Sequence, residues 1–170
     1  MINQEKIEKG ARFSLDRTHR YVLWRIWNNK LPKVVFIGLN PSTADENEDD
    51  ATIRRLVGFA ELNGYGGFYI VNLFSFRLTK SALLARVPVP STKQNDNAIK
   101  EFINKSNAIV CMWGGRGVLH NRSAEVARWI KEMQRSVLCF GLTLKHNPKH
   151  PLYLPYKTEL TPFTHRRAGH

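Results

Sequence analysis

The 170-residue sequence predicts an α/β protein: a three-layer α/β/α sandwich on a four-stranded parallel sheet, with an antiparallel hairpin before it. Continuous apolar runs such as Val34-Val35-Phe36-Ile37 and Phe68-Tyr69-Ile70-Val71 are the signature of strands covered on both faces, as parallel strands are. Segments of helical periodicity alternate with these runs, and right-handed crossovers then put helices on both sides of the sheet. The length suits a single domain over residues 1–170.

The elements follow in order. Residues 11–15 and 20–27 read as two short strands around Asp16-Arg17-Thr18-His19, an antiparallel hairpin at a sheet edge. Residues 33–39 form the first buried strand and end on Gly38-Leu39-Asn40-Pro41. Asp49 or Asp50 then caps a helix with apolar positions Ile53, Leu56, Val57 and Ala60, stopped by Gly64. A second buried strand, Phe68 to Phe74, leads into a connection over residues 79–93 that reads as an irregular loop with a mobile tip. Asn95 reads as the cap of a helix carrying Ala98, Ile99, Phe102 and Ile103. A strand over 108–113, a helix over 123–135 and a strand over 137–142 complete the alternation. Beyond Leu142, Pro148, Pro151, Pro155 and Pro162 exclude a regular helix and imply an extended tail across the sheet end.

Composition narrows the function classes. The longest apolar runs are about six to eight residues, short of the roughly 20 that cross a bilayer, and no secretory signal opens the chain, so a cytoplasmic protein without a membrane partner is expected. Cys111 and Cys139 fall in buried strands and form no C-x-x-C pair, so they read as small hydrophobes. The formal charge is +12, yet five of the 14 acids cluster at Asp45, Glu46, Glu48, Asp49 and Asp50. The other nine acids face all 26 Lys and Arg residues, an excess of 17. Such a surface attracts phosphate backbones by counterion release. Nucleic acid is therefore the expected partner, DNA in the first place, and a monomer the expected state; solubility alone is the competing reason for the charge.

In a doubly wound sheet the carboxyl ends of the parallel strands share one edge, where ligands bind. Asn40, Asn72, Trp113-Gly114-Gly115 and His150 fall at or just beyond such ends. Glycines at 38, 114, 115 and 117 allow close approach of a ligand, or are plain turn residues. Neither G-x-G-x-x-G after the first strand nor a P-loop occurs, which argues against dinucleotide and P-loop nucleotide binding. His146 and His150 lie four apart, but Pro148 breaks the helix a zinc pair would need, so no metal or cofactor is expected. Each candidate has a structural alternative: Asn40 as an Asx-turn residue, Asn72 as a partner for loop backbone, His150 as an exposed bystander.

The succession FIGLNPSTAD (36–45), DDATIRR (49–55), GYGG (64–67), VNLFSFR (71–77), WG (113–114) and PKHPLYLP (148–155), with RYxLWR at 20–25, resembles the DUF1643 family over nearly the whole chain. That resemblance implies a grouping and no activity. More remotely, the order of motifs is similar to the uracil-DNA glycosylase superfamily: Gly38-Leu39-Asn40-Pro41 resembles its first motif, Asn72 its base-reading Asn, Trp113-Gly114 its Trp-Gly strand end, and His150-Pro151 part of its second motif. Leu152 stands where that motif has Ser.

This second resemblance implies a glycosylase-like hydrolase that cleaves the N-glycosidic bond of a damaged or modified base, with water as second substrate and no cofactor. Within it, His150 would donate to the departing base, Asn40 would orient the water, and Asp45 would add negative charge beside the sugar cation. Asn72 would read the base edge, with Phe74, Phe76 or Tyr153 stacking on it. Arg77, Lys145, Lys149, Lys157, Arg166 and Arg167 would follow the phosphates. Two other readings stay open: a non-catalytic nucleic-acid or nucleotide-binding module of the same fold, and a Mg²⁺-dependent hydrolase using Asp45, Asp49 and Asp50. The acidic run opposes DNA at the mouth of the site, unless it serves the positive end of the helix that follows.

Overall fold

The computed structural model describes residues 2–166, so Arg167 lies outside the described residues. Its centre is one mixed sheet of seven strands: β1 (Glu8–Phe13), β2 (Arg20–Ile26), β3 (Val34–Gly38), β4 (Gly67–Asn72), β5 (Ala108–Cys111), β6 (Leu138–Cys139) and β7 (Thr161–Pro162). The spatial order is β1-β2-β4-β3-β5-β6-β7. The pairings β4 with β3, β3 with β5 and β5 with β6 are parallel; β1 with β2, β2 with β4 and β6 with β7 are antiparallel. Four of the strands, β4, β3, β5 and β6, run parallel, but the sheet is wider than the four strands expected: the hairpin, expected at a sheet edge, joins it through β2 on β4, and the proline-bearing tail returns to add β7.

Side-chain alternation divides the apolar residues into two cores, one on each face of the sheet. Val34, Phe36, Phe68, Ile70 and Met112 pack with Ile53, Leu56, Phe59 and Ala60 of helix α1 (Ala51–Leu62). Val35, Ile37, Tyr69, Val71 and Cys111 pack with Ile99, Phe102 and Ile103 of α2 (Lys93–Lys105) and Val126, Trp129 and Ile130 of α3 (Arg122–Glu132). The result is three layers, with one helix on one face and two on the other.

Local chemistry sets the element ends. The Asp50 carboxylate accepts from Ile53 N–H at 2.9 Å and caps α1, and Gly64 leaves the helix in the left-handed region (φ +78°) where a Cβ is costly. Asn95 was expected to cap α2, but Thr92 holds that position without a side-chain bond, and Asn95 sits fully buried in the first turn. The loop over 79–93 also differs from expectation: residues Ser81–Arg86 form a 3₁₀ turn whose Leu84 is fully buried, and Phe76 N–H donates to Pro90 O at 3.0 Å. A buried leucine and a backbone clamp tie that segment down. β6 keeps two residues because Gly141, with φ +97°, turns the chain away.

Candidate functional site at the carboxyl edge of the parallel strands

The central pair at this edge is Gly38 and Asn72, which face each other in register on β3 and β4. The ladder runs on past them, with Leu73 N–H to Gly38 O and Phe74 N–H to Leu39 O, both at 2.9 Å. Alternation with Phe68 and Ile70 puts the Asn72 side chain on the α1 face. A Cβ built on Gly38 would stand 2.7 Å from Asn72 Oδ1 and 3.4 Å from Met112 Cε, so the missing side chain is what makes room for the amide. Asn72 is only 2 % exposed, and its Nδ2 is buried without a hydrogen-bond partner. Buried polar groups are almost always paired, and Asn72 Nδ2 is one of seven buried side-chain nitrogens and oxygens without a partner among the described residues, Trp113 Nε1 past the end of β5 being another.

The main chain beneath this amide is held from the opposite face. Asn95 Nδ2 donates to Asn72 O at 3.0 Å and to Ser91 Oγ at 3.0 Å. Arg122 Nε donates to Leu73 O at 2.7 Å, while its other nitrogens pair with Asp96 and, at 2.9 Å, with Glu125. The first turns of α2 and α3 thus fix the last residues of β4. A sequence offers little signal for this, because Asn95 and Arg122 resemble ordinary residues of a helix start.

Asn40 lies two residues beyond Gly38, and its Nδ2 donates to Leu78 O at 2.8 Å and Pro41 O at 3.0 Å, while Leu78 N–H returns to Pro41 O. The amide nitrogen therefore fastens the end of β3 to the segment after β4. His150 reaches the same edge by a different path: Gly114 N–H donates to Pro148 O at 2.9 Å and Lys149 N–H to Gly141 O at 3.0 Å, which lays 148–150 beside the ends of β5 and β6. The His150 side chain is exposed, and its Nδ1 accepts from Leu152 N–H at 3.2 Å. That bond leaves the proton of the neutral ring on Nε2. Desolvation against the sheet end lowers the His150 pKa, with the nearby Asp50 carboxylate acting in the opposite direction.

The acidic run has a structural account. Asp45 Oδ1 accepts from the N–H groups of Asn47 and Glu48, both at 2.8 Å, and these bonds lower its pKa. Glu46 pairs with Arg17 at 2.8 Å, Asp49 with the fully buried Arg25 at 2.7 Å, and Asp50 caps α1. Three arginines also grip the loop's carbonyls: Arg25 to Asp45 O at 2.8 Å, Arg20 to Ala44 O at 3.0 Å, and Arg77 to Ser42 O and Thr43 O at 3.3 Å. Burial pushes the Arg20 pKa down to about 10, still far above neutrality. The run is thus a cross-linked turn rather than a free anionic patch, and Asp45 acts in it as a turn cap. Nothing in the sequence pattern of β2 marks Arg20 and Arg25 as inward-facing cations, because their partners come from a loop 20 to 24 residues away.

The aromatic candidates separate. Phe74 is 1 % exposed and belongs to the core on the α2 and α3 face, opposite the Asn72 amide. Tyr153 is 92 % exposed and lines nothing at this edge. Phe76 is half-buried, edge-on to His19 at 5.6 Å. Neither Phe74 nor Tyr153 is placed to stack on a ring held by Asn72, since one is core and the other stands in solvent. Lys145, Lys149, Lys157 and Arg166 are exposed. Among the described residues no group of three or more His, Cys, Asp or Glu could hold a metal ion.

Two grooves open elsewhere, and neither is lined by Asn40, Asn72 or His150. One of about 490 Å³ lies between the hairpin and α2, lined by residues including Phe13, Tyr21, Gln94 and Asn97. The other, of about 310 Å³, lies near Trp27, Leu31 and Tyr65. Asn40, Asn72 and His150 thus lie at or beside the ends of the parallel strands and outside both of these grooves.

Fold and edge together define an α/β protein of three layers with a buried, unpaired asparagine amide at a strand end. Residues 20–152 match the family described as "Protein of unknown function (DUF1643)", and the chain belongs to that family. No curated protein and no solved structure matches it. No helix among the described residues is long and apolar enough to cross a membrane.

Proposed function

We propose that this protein recognises a nucleobase at the carboxyl edge of β3 and β4, and that it is a glycosylase-like hydrolase of the N-glycosidic bond in DNA. The observation that carries the proposal is the Asn72 amide: buried, unpaired at Nδ2, and accommodated by a glycine across the strand. An unpaired buried donor costs about 1–3 kcal/mol. A base placed against it would supply the missing acceptor and recover that cost on binding. The uracil-DNA-glycosylase-like reading of the fold belongs to this proposal and rests on motif order, since the three layers alone are shared by many activities.

Within the proposal the chemistry is concerted at one bond. Water adds to the anomeric carbon while the N-glycosidic bond breaks, and the bonding electron pair leaves with the base. His150 Nε2–H donates a hydrogen bond to the base as negative charge develops there and keeps its proton, the ring being oriented by its Nδ1 bond, and the proton lost by the attacking water passes through solvent to the departing base. Asn40, its nitrogen fixed on Leu78 O, presents its carbonyl oxygen to the water. Asp45 contributes at most a fixed charge, because Oδ1 is committed to the turn. The excess of basic residues, Arg77 included, supports DNA as the partner.

The second reading is a base-binding module without turnover. It is favoured by one observation, that neither Phe74 nor Tyr153 can stack on the bound ring. The Mg²⁺-dependent reading has less support, since Asp49 and Asp50 are held by Arg25 and the α1 amides.

The deciding experiment incubates the protein with oligonucleotides that each carry one altered base and then cuts abasic sites with alkali. Cutting that survives EDTA and disappears in Asn72→Leu and His150→Ala supports the hydrolase. Base-dependent binding without cutting supports the module. Absence of both across uracil, hypoxanthine and hypermodified pyrimidines overturns the proposal.

A further inference from the structure

The groove between the hairpin and α2 is a second candidate site, and its lining has a definite chemistry. Phe13 and Tyr21 supply half-buried rings, and Gln94 and Asn97 supply exposed side-chain amides from the first turns of α2. One wall is fixed: Arg12 makes a two-pronged pair with Glu101 at 2.9 and 3.1 Å, with its guanidinium 5.3 Å from the centre of the Phe102 ring. The volume, about 490 Å³, falls within the range of ligand sites and exceeds that of a lone base. Rings that stack together with amides that both donate and accept are the combination that holds nucleobases.

The groove lies on the α2 side of the sheet, across from the Asn72 amide, and its link to the carboxyl edge is the Arg77 side chain and the loop that follows Asn40. The Arg77 guanidinium lies 5.0 Å from the centre of the Phe13 ring and donates at 3.3 Å to Ser42 O and Thr43 O, in the loop that follows Asn40. Among the described residues Arg77 forms no ion pair, in contrast to Arg12, Arg17 and Arg25. Arg17 stacks on the same Phe13 ring at 3.8 Å. Its nitrogens donate to carbonyls, Arg17 O at 3.3 Å included, and the Asp45 carboxylate lies within electrostatic reach without pairing with it; a cation so placed at the rim of a ring-lined groove fits the phosphate that links two nucleotides.

We propose that the groove of Phe13, Tyr21, Gln94 and Asn97 is a subsite for a neighbouring nucleotide of a single-stranded nucleic-acid segment, with Arg77 on the intervening phosphate. The subsite deepens the reading of the Asn72 edge given above and rests on it for the direction of the strand. The protein would then bind a strand rather than a free base, and its affinity would grow with strand length.

The test measures fluorescence anisotropy of labelled oligonucleotides of about six nucleotides, against nucleoside monophosphates as competitors, for the intact protein and four variants. Tyr21→Ala and Gln94→Ala lie at a surface groove, and thermal melting checks that they remain folded. The expected result is oligonucleotide affinity at least about tenfold above that of the mononucleotide. Tyr21→Ala should lower the former about tenfold while leaving mononucleotide competition unchanged, in keeping with one lost base stack. Arg77→Gln should flatten the salt dependence by about one phosphate contact. Affinity independent of length, or unchanged in both folded groove variants, overturns the subsite, as does a groove that takes peptides or free aromatic compounds in preference to oligonucleotides. Asn72→Leu separates the two proposals. If it leaves oligonucleotide binding intact while Tyr21→Ala weakens it, the groove stands and the Asn72 reading fails; the opposite pattern removes the groove alone.

Discussion

Replacing Asn72 by leucine should make this protein more stable, and the expectation follows from the burial of its amide. The side chain is 2 % exposed, Nδ2 has no partner, and the neighbouring space is shaped by Gly38 and Met112 rather than by polar groups. An unsatisfied buried donor costs about 1–3 kcal/mol, and leucine fills a similar volume without that cost. Imperfect fit of the branched methyls against Met112 offsets part of the gain, which leaves a net stabilisation of about 1 kcal/mol. For a chain of this size that corresponds to a rise in melting temperature of about 2–4 °C. Calorimetry or urea unfolding of Asn72→Leu measures it directly. A loss of more than about 1 kcal/mol would refute the reasoning. It would mean that the amide is a structural member of the strand end, so that nothing about its burial points to a ligand. Stability gained together with loss of base binding is the pattern of a site kept at the expense of the fold.

Further outcomes follow from the same geometry. Gly38→Ala places a methyl 2.7 Å from Asn72 Oδ1 and 3.4 Å from Met112 Cε, so it should displace the amide, abolish base recognition and lower stability by about 1–3 kcal/mol, measured by binding and by unfolding on the same sample. His19 is buried with Nδ1 at 2.8 Å from Ser75 Oγ, and burial lowers its pKa below the unfolded value of 6.5. Its contribution to stability is therefore complete above pH 6.5 and is lost as pH falls through the folded pKa, so urea midpoints should drop on acidification and His19→Gln should flatten that slope. His150 and His165 are shifted in the same direction and add to the effect. Cys111 and Cys139 face each other on β5 and β6 at zero exposure, and burial raises the Cys111 pKa well above its ordinary value. Both thiols should resist a chromogenic disulfide reagent until the protein is unfolded.

The sheet was legible where one physical signal dominated. Apolar runs located β3, β4 and β5, and Asp50 and Gly64 bounded α1, because burial on both faces and helix capping are properties of a few adjacent residues. The edge hairpin also read correctly, through the turn at Asp16-Arg17-Thr18-His19. Beyond such local signals the sequence underdetermines the structure. Nothing within β2 announces that it pairs with β4, nor that the tail returns to pair with β6, since both pairings are decided by contacts distant in sequence. Thr92 displaced Asn95 as the α2 cap because Asn95 is held by the carbonyls of Asn72 and Leu73.

At the edge, residue types foretold position better than orientation. Asn40, Asn72 and His150 do reach the ends of neighbouring strands, as strand order requires. The strand ends at Asn72 and its alternation with it, so Leu73 and Phe74 both enter the opposite core, and the exposed Tyr153 leaves the edge altogether. The acidic run was the hardest to read, because its partners Arg17 and Arg25 lie in the hairpin, on the far side of two strand crossings.

The claim on which the rest depends is that the Asn72 amide is an unfilled half of a contact with a nucleobase, and side-chain amide NMR observes that half directly. In a ¹⁵N-labelled sample titrated with oligonucleotides carrying altered bases, one NH₂ pair should move downfield with a base-dependent midpoint, and that pair should be missing from Asn72→Leu. An Asn72 NH₂ signal that stays in place for every base, while the oligonucleotide binds or fails to bind elsewhere, would contradict the account.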